Sequence, residues 1–125
     1  MTITRRHTLL SLAAMPALSF AQDGWPTKPV KLIVPFAPGG PTDTVARLLA
    51  ERMQALWKQP VVLDYKPGGG TMVGTQFVAQ AAPDGYTLGM AISAHMINPA
   101  LQPKMAYDTT RDLAGVSQLA LGHFG

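Results

Sequence analysis

The chain reads as an α/β fold built on a mostly parallel sheet. Three observations predict it. Apolar runs alternate with amphipathic runs in the order strand, helix, strand, helix, strand. The first apolar run is nearly continuous, as suits a strand covered on both faces. Each of the first two strands empties into a glycine-rich turn that opens a helix, at Pro35-Phe36-Ala37-Pro38-Gly39-Gly40-Pro41-Thr42-Asp43 and again at Lys66-Pro67-Gly68-Gly69-Gly70-Thr71. Right-handed crossovers between parallel strands would bring these loops to one rim of the sheet, where ligands sit in such folds.

Residues 1–21 read as a secretory signal peptide. Arg5, Arg6 and His7 form a charged start, residues 9–18 are apolar but short for a membrane span, and Ser19-Phe20-Ala21 predicts cleavage after Ala21. Thr4-Arg5-Arg6-His7-Thr8-Leu9 also resembles a twin-arginine signal, with Thr8 in place of the usual Phe. The lead-in from Gln22 holds Trp25-Pro26 and Lys28-Pro29, which favour extended backbone. Residues 30–36 form the first strand, and Pro35 marks the end of its ladder. The first helix spans residues 42–56, with Val45, Leu48, Leu49, Met53 and Leu56 as its apolar stripe and Thr42 or Asp43 as its cap.

Residues 61–65 form the second strand. The second helix covers residues 72–82, burying Val73, Phe77, Val78 and Ala81, and stops at Pro83-Asp84-Gly85. The third strand is expected over residues 86–92. A third loop, Ser93-Ala94-His95-Met96, leads to a helical turn at Ile97-Asn98-Pro99-Ala100-Leu101. Asp108 is placed to cap a short turn through Asp112, and residues 116–121 read as a fourth strand.

Composition narrows the function. The 125 residues are 47% hydrophobic, enough for a core. Without Arg5 and Arg6, eight basic side chains face seven acidic ones, and they are scattered, so the pattern argues against a nucleic-acid partner. Cysteine is absent, which removes disulfides and thiol chemistry. No nucleophile stands with a base, and the sequence carries no paired acids and no metal-ligand cluster, so we expect neither an enzyme nor a cofactor. His95 has no carboxylate partner at useful spacing, which suits a hydrogen-bond donor at a pocket edge better than a catalytic base.

The glycine turns carry the functional reading. Glycine lets backbone approach a ligand closely, and a helix start offers unpaired N–H groups with a partial positive charge. Two such turns on one rim would form two jaws around a small anion. Each also reads as a plain tight turn. Asp43 is either a cap or a partner of loop amides or of an amine on the ligand; since it would repel a bare carboxylate, contact through water or a backbone hinge role suits it better. Thr71 can cap the second helix and bind an anion together. Gly68-x-Gly70-x-x-x-Gly74 after a strand invites a dinucleotide reading, with spacing unlike the usual fingerprint.

At these loops the sequence resembles the substrate-binding proteins of tripartite tricarboxylate transporters, the Bug or TctC family. The resemblance rests on Trp25-Pro26-x-Lys28-Pro29-Val30, on Ile33-Val34-Pro35-Phe36-Ala37-Pro38-Gly39-Gly40-x-Thr42-Asp43-x-x-Ala46-Arg47, on Pro67-Gly68-Gly69-Gly70, on Ala82-Pro83-Asp84-Gly85-Tyr86-Thr87-Leu88 and on Ile97-Asn98-Pro99-Ala100-Leu101, in that order. It implies a periplasmic-binding-protein-like lobe of the Venus-flytrap kind. A small organic acid, a dicarboxylate, tricarboxylate or related ligand, would be captured in the periplasm and handed to membrane permease subunits.

The ligand contacts carried over are Phe36, Ala37, Gly39, Gly40, Thr42 and Asp43 in the first loop, Gly69, Gly70, Thr71 and Met72 in the second, and Ser93, Ala94 and His95 in the third. The family often has hydroxyls where this chain has Ala91-Ile92-Ser93-Ala94-His95, which implies a less polar ligand. The family's members are also longer. Residues 22–125 are therefore expected to be the N-terminal part of lobe one, with the second lobe absent, and to bind weakly alone. The alternative is a fragment of a Rossmann-like dinucleotide-binding oxidoreductase.

Overall fold

Strand β1 (Val30–Val34) is the centre of the molecule, and its sequence explains why. Val30, Leu32, Ile33 and Val34 are all buried, so both faces of the strand are covered, as the continuous apolar run predicts. The computed structural model describes residues 24–121. The signal-peptide reading of residues 1–21 and the cleavage after Ala21 lie outside the described residues.

Strand β2 (Val61–Tyr65) pairs parallel to β1, with Val30 opposite Val61 and Val34 opposite Tyr65. Strand β3 (Thr87–Gly89) pairs parallel on the other side, with Leu32 opposite Leu88, giving the order β2-β1-β3. This is the α/β parallel sheet expected from the sequence. Beyond β3, Met90 N–H still donates to the Ile33 carbonyl at 3.0 Å, but the strand is shorter than the run over residues 86–92 suggests.

Helix α1 (Pro41–Trp57) covers β1 and β2. Its buried stripe differs from the expected one. Ala46 and Ala50 are buried, and Leu49, Met53 and Trp57 pack beside them. Leu49 and Met53 were expected inside; Val45, Leu48 and Leu56 are exposed instead. Two stripes at helical spacing coexist on this helix, and the alanines win because small side chains let it lie close on the sheet. The helix start also differs. Gly40 is the N-cap with no side-chain cap, and Pro41 takes the first helical position, where its fixed φ and missing N–H fit. Neither Thr42 nor Asp43 is the cap.

Helix α2 (Met72–Ala79) buries Gly74 and Thr75. Val73 and Phe77, expected inside, are exposed, while Val78 is half-buried. The Lys66 ammonium sits 4.4 Å from the Phe77 ring centroid. The helix ends earlier than residue 82, and Ala81 N–H turns back to the Val78 carbonyl ahead of Pro83. Helix α3 (Ser93–Leu101) starts at the residues expected to be a loop, so Ser93, Ala94 and His95 form its first turn.

Residues 116–121 form no strand. Val116 and Leu121 are exposed, and no described strand lies beside them to supply hydrogen-bond partners. Asp108 does organise its turn: its Oδ1 accepts from the Thr110 N–H at 2.9 Å and the Arg111 N–H at 3.0 Å, while the Asp108 N–H donates to Asp112 Oδ2 at 2.8 Å. No described helix is long and apolar enough to cross a membrane.

Candidate functional site

Because the three strands are parallel, the segments that follow them emerge on one rim. Phe36 to Asp43 follow β1, Gly69 to Met72 follow β2, and Ser93 to His95 follow β3. Within the first loop Phe36 packs against the core, Ala37 and Gly39 are exposed, Gly40 and Thr42 are half-buried, and Asp43 is buried.

Asp43 is spent on the loop itself. Its Oδ2 accepts the Gly39 N–H at 2.7 Å, and its Oδ1 accepts the Tyr65 hydroxyl at 2.7 Å from the end of β2. Arg47 Nε lies 3.0 Å from Oδ1, one helical turn along α1. The Tyr65 hydrogen bond, then the Gly39 N–H, then Arg47 hold the Asp43 carboxyl below its ordinary value, against the opposing pull of burial. The same bond to Asp43, aided by burial, raises the Tyr65 phenol. Asp43 is thus an ionised knot joining the first loop, α1 and the base of the second loop. Of the two roles left open for it, the loop-amide contact is the one observed.

The second loop is a single left-handed turn. Gly68, Gly69, Gly70 and Thr71 all have positive φ, at 128°, 57°, 60° and 81°. Three glycines adopt this freely, but for Thr71 it is a strained conformation that needs support. Support comes from below. Thr75 Oγ1 donates to the Thr71 carbonyl at 3.0 Å. Asn98 Nδ2 donates to the Gly70 carbonyl at 2.9 Å and lies 3.5 Å from Thr71 Oγ1. Thr71 stands at the N-cap of α2, yet its hydroxyl makes no cap bond. Gly69 and Gly70 are exposed, Thr71 is buried and Met72 is half-buried.

Gly74 joins the two loops. A Cβ there would lie 2.8 Å from Pro35 Cβ and 3.0 Å from the Lys66 carbonyl oxygen. The glycine lets α2 press against the exit of β1, which accounts for its place in the Gly68-x-Gly70-x-x-x-Gly74 spacing without a nucleotide. The third segment is joined through Asn98 rather than through Ser93, Ala94 or His95. Ser93 is exposed, Ala94 and His95 are half-buried, and the buried His95 Nδ1 has no hydrogen-bond partner among the described residues.

The buried polar side chains among the described residues are Asp43, Thr71, Thr75 and Asn98, and all four serve these loops. Burying polar groups is costly unless they are hydrogen-bonded, so their concentration at one rim marks backbone that must be held in place. Sequence reasoning missed Tyr65, Thr75 and Asn98. A polar residue inside the apolar Ile97-x-Pro99-Ala100-Leu101 was the signal available for Asn98. An open concavity of about 530 Å³ lies elsewhere, lined by Gln102, Tyr107, Asp108 and Arg111 among others, and none of the glycine loops borders it.

Relatives carry the same architecture. The chain is 39% identical over 105 residues to protein BugT of Bordetella pertussis, covering 82% of this chain and 32% of that one. It is 43% identical to MatC from Rhodopseudomonas palustris, solved with bound malate, at a TM-score of 0.65 over 70% of this chain and 30% of that one. A second R. palustris protein, solved with adipate, is 40% identical at a TM-score of 0.53, covering 54% of this chain and 22% of that one. The chain spans about a third of the length of the curated relatives it matches. The model of the tripartite tricarboxylate transporter family receptor, TctC, matches residues 45–125. With two thirds of its length matched and relatives of this identity, the chain belongs to the TctC family of periplasmic solute-binding receptors.

Proposed function

We propose that this chain forms part of the first lobe of a periplasmic solute-binding protein and holds one carboxylate of a small organic acid between its two glycine loops. The observation that carries the reading is the bracing of both loops, on one rim, by every buried polar side chain described. Backbone N–H groups near Gly40, Gly69 and Gly70, with the Thr71 hydroxyl, are the donors suited to an oxyanion, while the Gly39 N–H is held by Asp43 and shapes the loop. Phe36, Ala37, Thr42 and Met72 line the approach, and Ser93, Ala94 and His95 meet the rest of the ligand. Asp43 acts through the Gly39 amide. The malate and adipate held by two neighbours support a dicarboxylate class. Capture involves no chemistry. A signal peptide over residues 1–21 delivers the chain to the periplasm, and a permease of the tripartite tricarboxylate type receives the ligand.

The test is an NMR titration of malate and adipate, which reads weak binding by this chain directly. The amides of Gly39, Gly40, Gly69, Gly70 and Thr71 are expected to shift together and saturably. A saturable response to NAD(P) at these amides, with none to either acid, would overturn the reading in favour of a dinucleotide site.

A further inference from the structure

We infer that Asn98 is a positioning residue that sets the polarity of the carboxylate site by fixing which way the Thr71 hydroxyl points; the inference rests on the carboxylate reading above. Asn98 is buried on α3, and its side chain reaches the second loop. A carbonyl only accepts hydrogen bonds, so the group 2.9 Å from the Gly70 carbonyl must be the amide nitrogen, and the amide cannot be flipped. The same nitrogen lies 3.5 Å from Thr71 Oγ1. One amide proton goes to the Gly70 carbonyl, and the second faces the Thr71 hydroxyl oxygen at the long end of hydrogen-bond distance.

The consequence is directional. A threonine hydroxyl has one proton. With its oxygen already accepting from Asn98, that proton is released to donate elsewhere, and the group it suits is an acceptor such as a carboxylate oxygen. The Gly70 bond also holds the backbone beside Thr71, whose φ of 81° is unusual outside glycine. Asn98 therefore links the segment after β3 to the loop after β2, and it does so without touching the ligand. Asn98→Asp puts an acceptor where the donor was. It repels the Gly70 carbonyl, draws the Thr71 proton inward and turns a lone pair toward the ligand.

The experiment compares wild type, Asn98→Asp, Asn98→Ala and Asn98→Ser by amide NMR, with malate as probe and thermal melting as the fold control. Asn98→Ala is expected to shift the Gly70 and Thr71 amides while leaving those of Gly39 and Gly40 in place. Asn98→Asp is expected to weaken malate by about tenfold or more, the scale of one lost charge-assisted hydrogen bond, and Asn98→Ser, which restores a donor, to recover part of it. Malate binding to a folded Asn98→Asp within about twofold of wild type overturns the inference. Should Asn98→Asp fail to fold, Asn98→Ala decides: unchanged Gly70 and Thr71 amides overturn the inference as well. A wild type that ignores malate and adipate sinks the carboxylate reading instead, and the amide comparison still decides whether Asn98 holds the loop.

Discussion

Where the strands begin, Trp25 meets Trp57 edge-on at 4.8 Å and Tyr86 at 5.9 Å, and the Lys28 ammonium sits 4.2 Å from the Tyr86 ring centroid. The Tyr86 hydroxyl accepts the Thr27 N–H at 2.9 Å, and Lys28 pairs with Asp84 at 3.5 Å. Where the strands end the contacts are of another kind: Asp43 ties Tyr65 and Arg47 to the Gly39 amide, and the Lys66 ammonium sits over the Phe77 ring. There the chain spends glycines, positive φ angles and buried hydrogen-bonded side chains on holding two loops open to solvent. The first pole ties the lead-in segment, the end of α1 and the start of β3 together by ring contacts, which tolerate small shifts. The second fixes backbone groups in position. Under the carboxylate proposal, stability and recognition are divided between the two ends of one sheet.

The contrast would break most visibly at Gly74, a rim glycine that behaves as core. Gly74→Ala adds a methyl 2.8 Å from Pro35 Cβ and 3.0 Å from the Lys66 carbonyl, and neither neighbour is the free end of a flexible side chain. We expect a loss of about 2–3 kcal/mol in chemical denaturation, beyond what the better helix propensity of alanine returns. A neutral outcome would mean that α2 can stand off from β1. At the other pole Trp25→Ala removes ring contacts from a half-exposed side chain. We expect about 1 kcal/mol of destabilisation and no change in the malate response of the glycine amides. A loss of that response would join the two poles.

The glycine pole was legible in the sequence and the aromatic one was not, and the failures have a common cause. The parallel sheet, a first strand covered on both faces and both glycine turns follow from alternation and turn chemistry, which are local. The buried face of α1 does not. Ala46 and Ala50 outrank Val45, Leu48 and Leu56 because helix α1 approaches the sheet closely, a tertiary fact that apolar size cannot report. The third loop was misplaced because Ser93 to Met96 carry no glycine or proline to signal whether a helix has begun. Asp43 to Arg47 could be read as a helical pair, but the Tyr65 hydroxyl arrives from another strand. Asn98 likewise lies 28 residues along the chain from its partner Gly70. Contacts at that separation leave no periodic trace.

Acid separates the poles next. The Asp43 carboxyl is held below its ordinary value chiefly by the Tyr65 hydroxyl, and that of Asp84 chiefly by the Tyr86 N–H. A depressed carboxyl stabilises the fold above the pKa of the unfolded chain, and that contribution fades as pH falls through the folded value. Both therefore weaken the fold only below about pH 4. Protonating buried Asp43 should release the first loop, seen as a shift of the Gly39 amide with a matching change at Gly40. Protonating exposed Asp84 should move the Tyr86 amide alone. Asp43→Asn should remove the acid-dependent step at Gly39 and leave that at Tyr86. If the Gly39 amide titrates unchanged in that variant, Asp43 is not the knot.

The smallest expected effect on stability is the sharpest test of the division. Gly40 has φ −91°, an ordinary value for any residue, and a Cβ there meets nothing within 4 Å. Nothing in the fold requires a glycine at this position, unlike Gly39, whose φ is 96°. Gly40→Val should therefore cost only about 0.5–1 kcal/mol, the loss of a favoured N-cap residue. It nevertheless places a branched side chain at the N-cap of α1, beside N–H groups that a carboxylate would use. The malate response of the Gly69, Gly70 and Thr71 amides should disappear with that of the first loop, because one anion is held by both. Persistence of the second-loop response would show two independent half-sites, and persistence of both would show that open space at Gly40 serves no ligand.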